Sequence, residues 1–280
     1  MTDEHDPSRI RGGAAPPPKE FDATTADETD LVGYGLPLRP NPHTQPGLAA
    51  LWERQARRYR NFDHLAVEVP RSLLDRPTSG RAPLDLTERE TCGYSLNSFD
   101  SPLTALFVTW TVPNLRYTEN PRGPNTLHTF VSLGFLDVHV EMTVDEAQDV
   151  TVRFGGTYLA VLPGEVLSAA ICLAPEPPGR ATFVLANETR SQTANFSFDT
   201  GFPPAVSISA GLSRGNPEDP FNPLARFGIV YFDEISAYTT TGSRSLTRDG
   251  EATTMVDRDG AAIAKPFRLN DFAFKTVHVA

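Results

Sequence analysis

From about residue 103 onward, apolar and polar positions alternate in short runs, each closed by glycine or proline. Residues 106–112 form one apolar-rich run, ended by Pro113. Residues 129–136 and 137–144 follow. Residues 150–154 alternate and stop at Gly155-Gly156. Residues 158–162 turn at Pro163-Gly164-Glu165 into a run over 166–173. Residues 181–186 and 191–198 form a further pair, followed by 205–210, 227–240, a segment around 253–260 entering a turn, and 272–279. A period of two marks strands, and strands at about 8–12-residue spacing mark a sandwich or barrel. No alternation of strand and helix patterns is present, which excludes a doubly wound sheet. One stretch departs from this rhythm. Leu48, Leu51, Trp52 and Tyr59 recur at helical spacing after Thr44, opposite Glu53, Arg54, Arg57 and Arg58. The spacing predicts a helix strapped onto the sandwich through Trp52.

Residues 1–30 are rich in Asp, Glu, Pro, Gly and Ala, with few large apolar side chains. Such a segment cannot offset its ordering entropy by burial and is expected to be a disordered acidic tail. Residues 31–93 are expected to hold a Pro-rich segment, the helix and an irregular lead-in, and residues 94–280 the sandwich domain. The fold class is therefore all-β, a two-sheet antiparallel sandwich with an N-terminal helix strap. The hydrophobic fraction of 39% can fill one core. A net charge of −10 repels phosphate backbones and acidic membrane surfaces, so neither nucleic acid nor membrane is expected as a partner. No run of about 18 apolar residues is present. No leader pattern is visible, so a cytoplasmic location is expected and the sequons at Asn187 and Asn195 carry no meaning. Two cysteines, Cys92 and Cys172, are too few for a disulfide framework and are expected as free thiols.

Several segments share an order and spacing with a known family. Val108-Thr109-Trp110-Thr111-Val112-Pro113 resembles the TWTVP strand of the glutamic peptidases, or eqolisins. Leu162-Pro163-Gly164-Glu165-Val166 resembles their PGD hairpin, and Asn187-Glu188-Thr189 their N-x-T turn. Residues 223–232 resemble their L-A-x-F-G-x-V-x-F strand, and the Thr254-Met255-Val256 and Asp259-Gly260 segment falls where theirs does. The resemblance spans residues 94–280 and implies a concanavalin-like jelly roll. It also implies acid endopeptidase chemistry, in which a Gln and a Glu facing each other on a concave sheet activate water. This chain departs at both positions. Glu141 stands where the Gln is expected and Val206 where the Glu is expected. A valine accepts no proton, so loss of that activity is expected.

The segment 137–144 is the most informative. Val138, Val140, Met142 and Val144 share one strand face; Asp137, His139, Glu141 and Thr143 share the other. Neighbours on one face lie about 6.5–7 Å apart. An imidazole between two carboxylates has a raised pKa and can act as acid or base. Glu141, His139 and Asp137 are therefore the candidate catalytic residues, set against a plain solvated strand face. Trp110, Thr143, Val206 and Ile208 are candidate ligand-binding residues. Val206, Ile208 and Ala210 would make one wall of the groove apolar and suit an amphipathic small ligand. His128 is expected in a loop bordering the groove. No strong zinc spacing, P-loop or dinucleotide fingerprint occurs, so no metal or cofactor is expected. The partner expected is a small molecule, peptide or glycan. Four functions stay open: a ligand-binding protein, an enzyme with rebuilt acid/base chemistry, a residual acid peptidase, and an assembly module.

Overall fold

The computed structural model describes residues 16–67, 90–119, 123–155, 157, 159–174, 179–200, 204–215 and 223–279. Its helices are α1 (Glu28–Gly33), α2 (Pro46–Tyr59) and α3 (Leu246–Asp249). The first strands are β1 (Asp63–Leu65), β2 (Thr91–Asn97), β3 (Leu103–Thr111) and β4 (Leu115–Arg116). β5 (Asn125–Leu133), β6 (Leu136–Val144) and β7 (Val150–Phe154) form a meander. β8 (Val166–Leu173), β9 (Gly179–Asn187) and β10 (Gln192–Thr200) form a second. Then come β11 (Ser207–Ser213), β12 (Arg226–Phe227), β13 (Ile229–Thr239) and β14 (Ser243–Arg244). The chain closes with β15 (Glu251–Thr253), β16 (Met255–Val256), β17 (Ala262–Asn270) and β18 (Ala273–His278).

Two sheets carry the domain. One runs β1-β10-β9-β8-β3-β13-β18-β17-β16, with β14 on β13; the other runs β15-β2-β11-β5-β6-β7. All pairs are antiparallel except β1 with β10. The expected two-sheet all-β sandwich is the observed architecture. The core lies between the sheets. Leu106, Val108 and Trp110 of β3 meet Val138, Val140 and Met142 of β6 there. Aromatic pairs tie the strands across one sheet: Phe183 stacks on Phe196 at 4.7 Å and Phe232 on Phe274 at 4.6 Å. The alternation along residues 137–144 is realised as predicted, with even-numbered residues inward. β6 begins one residue earlier, at Leu136.

The turn motifs serve the scaffold. Gly164 adopts φ +89°, which a glycine tolerates without steric cost. Glu165 accepts from the Leu162 backbone N–H at 2.8 Å, from Asn187 Nδ2 at 2.7 Å and from Arg190 Nε at 2.7 Å. These donors hold its carboxyl below the usual range, against a burial that would raise it. Asn187 Nδ2 also donates to the Ala160 carbonyl at 2.8 Å. A side chain thereby serves a carbonyl that a ladder would otherwise take, and residues 159–162 run as coil where a strand was expected.

The strap docks as the helical pattern predicts. Trp52 is buried and its indole donates to the Pro37 carbonyl at 2.9 Å. Tyr59 Oη donates to Glu188 Oε1 at 2.9 Å and lies 2.8 Å from Ser168 Oγ, within hydrogen-bond distance. Arg58 bridges Glu188 at 2.9 Å and Glu234 at 2.7 Å. The expectation of a disordered tail fails for residues 16–30, and residues 1–15 lie outside the described residues. Asp22 accepts from Thr24 and pairs with Arg60 at 3.0 Å. Arg39 donates to the Thr24 carbonyl at 2.7 Å, and Asp27 caps α1 through the Asp30 N–H. Leu31 is fully buried. Composition underestimates this segment because two arginines from outside it supply its order.

Candidate functional site: the outer face of the six-stranded sheet

Residues facing outward from β2, β11, β5, β6 and β7 follow from the pairing register. One row across the sheet reads Ser95, Ser209, Ser132, Asp137. The next reads Gly93, Gly211, Phe130, His139. A third reads Thr91, Ser213, His128, Glu141, Arg153. Thr143 continues the face between Thr126 and Thr151.

The predicted cluster forms. His139 Nδ1 lies 3.2 Å from Asp137 Oδ2, and His139 Nε2 lies 3.4 Å from Glu141 Oε1. The bond to Asp137 raises the His139 pKa most, with both carboxylate charges adding and burial opposing. The imidazole is thus held toward its charged form, donating from both nitrogens. Asp137 is the most enclosed of the three and Glu141 the most open, at 43% exposure. His139 has no nitrogen left to activate a serine, so Ser132 and Ser209 are not nucleophiles of a Ser-His-Asp arrangement. They bond each other at 2.5 Å, and both are buried.

His128 lies on β5, not in a loop. Its ring stacks on His139 with centroids 5.7 Å apart and planes 6° from parallel. Burial, followed by the neighbouring His139 charge, pushes its pKa down to about 4, against a smaller pull from Glu141. A neutral ring thereby lies flat against a charged one. The sequence showed a His with no partner nearby; only the β5–β6 register brings the two rings together.

Two candidate ligand residues are displaced from the groove. Trp110 lies in the core, edge-on to Phe154 at 5.8 Å. Ile208 also lies in the core, with Ala210 and Leu212. Core burial removes both from a ligand's reach. β11 turns its even-numbered residues inward, so its outward face is Ser207, Ser209, Gly211 and Ser213 rather than the expected apolar strip. Val206 precedes this strand and is half-buried, its carbonyl accepting from the Ser98 N–H at 2.7 Å. Thr143 remains half-buried on the groove face. Sequence reasoning missed Phe130, Ser132, Ser209 and the glycine pair Gly93–Gly211. The pattern S-I-S-A-G-L-S held a signal, since its small polar residues alternate with apolar ones.

Against known structures, the fold has counterparts. It matches scytalido-glutamic peptidase bound to a transition-state analog inhibitor, with a TM-score of 0.52 and 15% identity over 68% of this chain and 98% of that one. The fold is that of the eqolisins. SCP-B, an eqolisin family member solved with the tripeptide Ala-Ile-His, matches with a TM-score of 0.51 and 16% identity over the same shares. No family profile matches this sequence, and no curated protein matches it. Glu141 lies on the outward face of β6, and β11 (Ser207–Ser213) carries no carboxylate.

Proposed function

We propose that this chain binds an extended polar ligand, a peptide segment, in the groove of the six-stranded sheet, and that it lacks the Gln/Glu hydrolytic pair. The observation that carries this reading is the groove side of β11: Ser207, Ser209, Gly211 and Ser213 set opposite Glu141 no second carboxylate and no amide. With β5 intervening, β11 and β6 stand about 10 Å apart, so a water held by Glu141 finds no partner base there. The half-buried hydroxyls of Ser207, Ser213 and Thr143 suit hydrogen bonding to a peptide backbone better than burial of an amphipathic small molecule. The peptide complex of SCP-B supports the same choice of ligand class.

The test is a proteolysis assay on a denatured protein from acid to neutral pH, run beside Glu141→Ala, with peptide binding followed by NMR. No cleavage by either protein, with amide shifts of groove residues on peptide addition, is the expected result. Cleavage by the wild type, lost in Glu141→Ala, overturns the reading in favour of a surviving peptidase.

One observation favours a second reading, an enzyme with rebuilt acid/base chemistry. His139, its pKa raised by the bond to Asp137, has the exposed Glu141 carboxylate beside it, an imidazole and a carboxylate within reach of one substrate. A bell-shaped pH dependence on a hydrolysable substrate, lost in both His139→Ala and Glu141→Gln, would distinguish it from binding alone.

A further inference from the structure

A second site lies on the opposite side of the molecule. A cavity of about 380 Å³ separates the strap from the outer face of the ten-stranded sheet. Leu31, Leu51 and Trp52 line it from the strap, and Phe107 and Val184 from the sheet. Three polar side chains on its wall have groups without a hydrogen-bond partner: both amide atoms of Gln55, both ring nitrogens of His64, and Arg180 Nε. Gln55 is only 8% exposed. Native proteins leave few buried polar groups unpaired, and three around one cavity point to something that pairs them.

Their placement sets the shape of that something. His64 pairs with Thr193, whose partner across β9–β10 is Ala186. Arg180 lies six residues further along β9, about 20 Å away at strand rise. Gln55 lies one turn before Tyr59, which bonds Ser168 in the Ala186 row, so Gln55 belongs to the His64 end. The cavity is therefore a slot along the strands. It has Arg180 at one end, Gln55 and His64 toward the other, and apolar walls between; Arg39 and Arg60 also line it, their guanidinium groups taken by the Thr24 carbonyl and by Asp22. Burial lowers the His64 pKa against the pull of Asp63, so the ring is neutral and both donates and accepts. Arg180 faces Asp199 across the β9–β10 pair, with no ion pair between them.

We propose that this slot binds an elongated amphipathic carboxylate: the carboxylate at Arg180, the methylene body along Phe107, Val184 and Trp52, and a terminal hydroxyl or amide at Gln55 and His64. A plain fatty acid would leave the second end unsatisfied, and a diol the first.

The chain holds two tryptophans, Trp52 on this wall and Trp110 in the sealed core, so Trp52 fluorescence reports occupancy over a constant background. Full-length protein is titrated with 12-hydroxydodecanoate, dodecanoate and 1,12-dodecanediol, below micellar concentration. The hydroxy acid is expected to bind about tenfold tighter than either probe lacking one end group. Arg180→Met should bring it to the diol's affinity. Gln55→Leu should narrow the gap between the hydroxy acid and dodecanoate, His64 keeping part of the hydroxyl's binding. If Arg180→Met does not fold, Arg180→Gln, which removes the charge and keeps a polar end, takes its place with the same expected result. The proposal is overturned if no probe changes Trp52 fluorescence or raises Tm, or if the three bind equally and the Arg180 variant binds the acid like the wild type.

Discussion

His128 and His139 lie ring on ring yet titrate in opposite directions, and this makes the groove legible in stability measurements. For His139 the folded pKa lies above 6.5, its ordinary value. Its contribution is therefore fully present below pH 6.5 and fades as pH rises through the folded pKa. For His128 the folded pKa is about 4. The unfolded chain takes up that proton first, so stability is lost as pH falls from 6.5 toward 4. His128→Gln should therefore lose less Tm than the wild type between neutral pH and about pH 4. His139→Gln should differ most from the wild type below pH 6.5 and converge with it as pH rises. Thermal melts across that range check both, and identical profiles for all three proteins would show that the rings are not coupled to folding. At this scale the sequence was informative for Asp137, His139 and Glu141, because their spacing on one strand is local. It was uninformative for His128, whose contact depends on the β5–β6 register, and for the Ser132–Ser209 pair, which joins strands far apart in the chain.

At the scale of elements, β2 and β11 are joined at a glycine pair. A Cβ at Gly93 would lie 2.2 Å from the Ala210 carbonyl, and one at Gly211 2.2 Å from the Cys92 carbonyl. Backbone on backbone cannot yield, so Gly93→Ala should part the two strands. We expect it to destabilise by several kcal/mol, measurable by urea unfolding; a change under about 0.5 kcal/mol would show the pair to be incidental. The strap is held differently, by polar bonds at its last turn. Tyr59→Phe removes the hydroxyl shared by Ser168 and Glu188 and should cost about 1–3 kcal/mol, with α2 amides exchanging faster than the sheet. The helix itself was legible from its apolar spacing. β17 was not, because exposed side chains such as Phe267 and Leu269 break the alternation of an edge region. The boundaries of β3 and β11 moved by a few residues, since pairing partners rather than propensity set strand ends.

For the whole molecule, two sheets bury one core, and the two proposed sites lie on their outer faces: one on the six-stranded sheet and a strap-covered slot on the other. Trp110 belongs to the shared core, so Trp110→Ala should cost about 3–5 kcal/mol of unfolding free energy while leaving groove contacts in place. A drop in peptide binding without loss of stability would contradict that placement. No helix among the described residues is long and apolar enough to cross a membrane. The sequence by itself determined the all-β class, the two faces of β6 and the helix strap. Each rests on a local period or on a residue's own chemistry. Only the tertiary structure decided that Ile208 and Trp110 are core, that β11 shows serines to the groove, and that Gln55, His64 and Arg180 share one cavity. Strand register and sheet face follow from pairings between distant segments, and a shift of one residue along a strand exchanges its two faces.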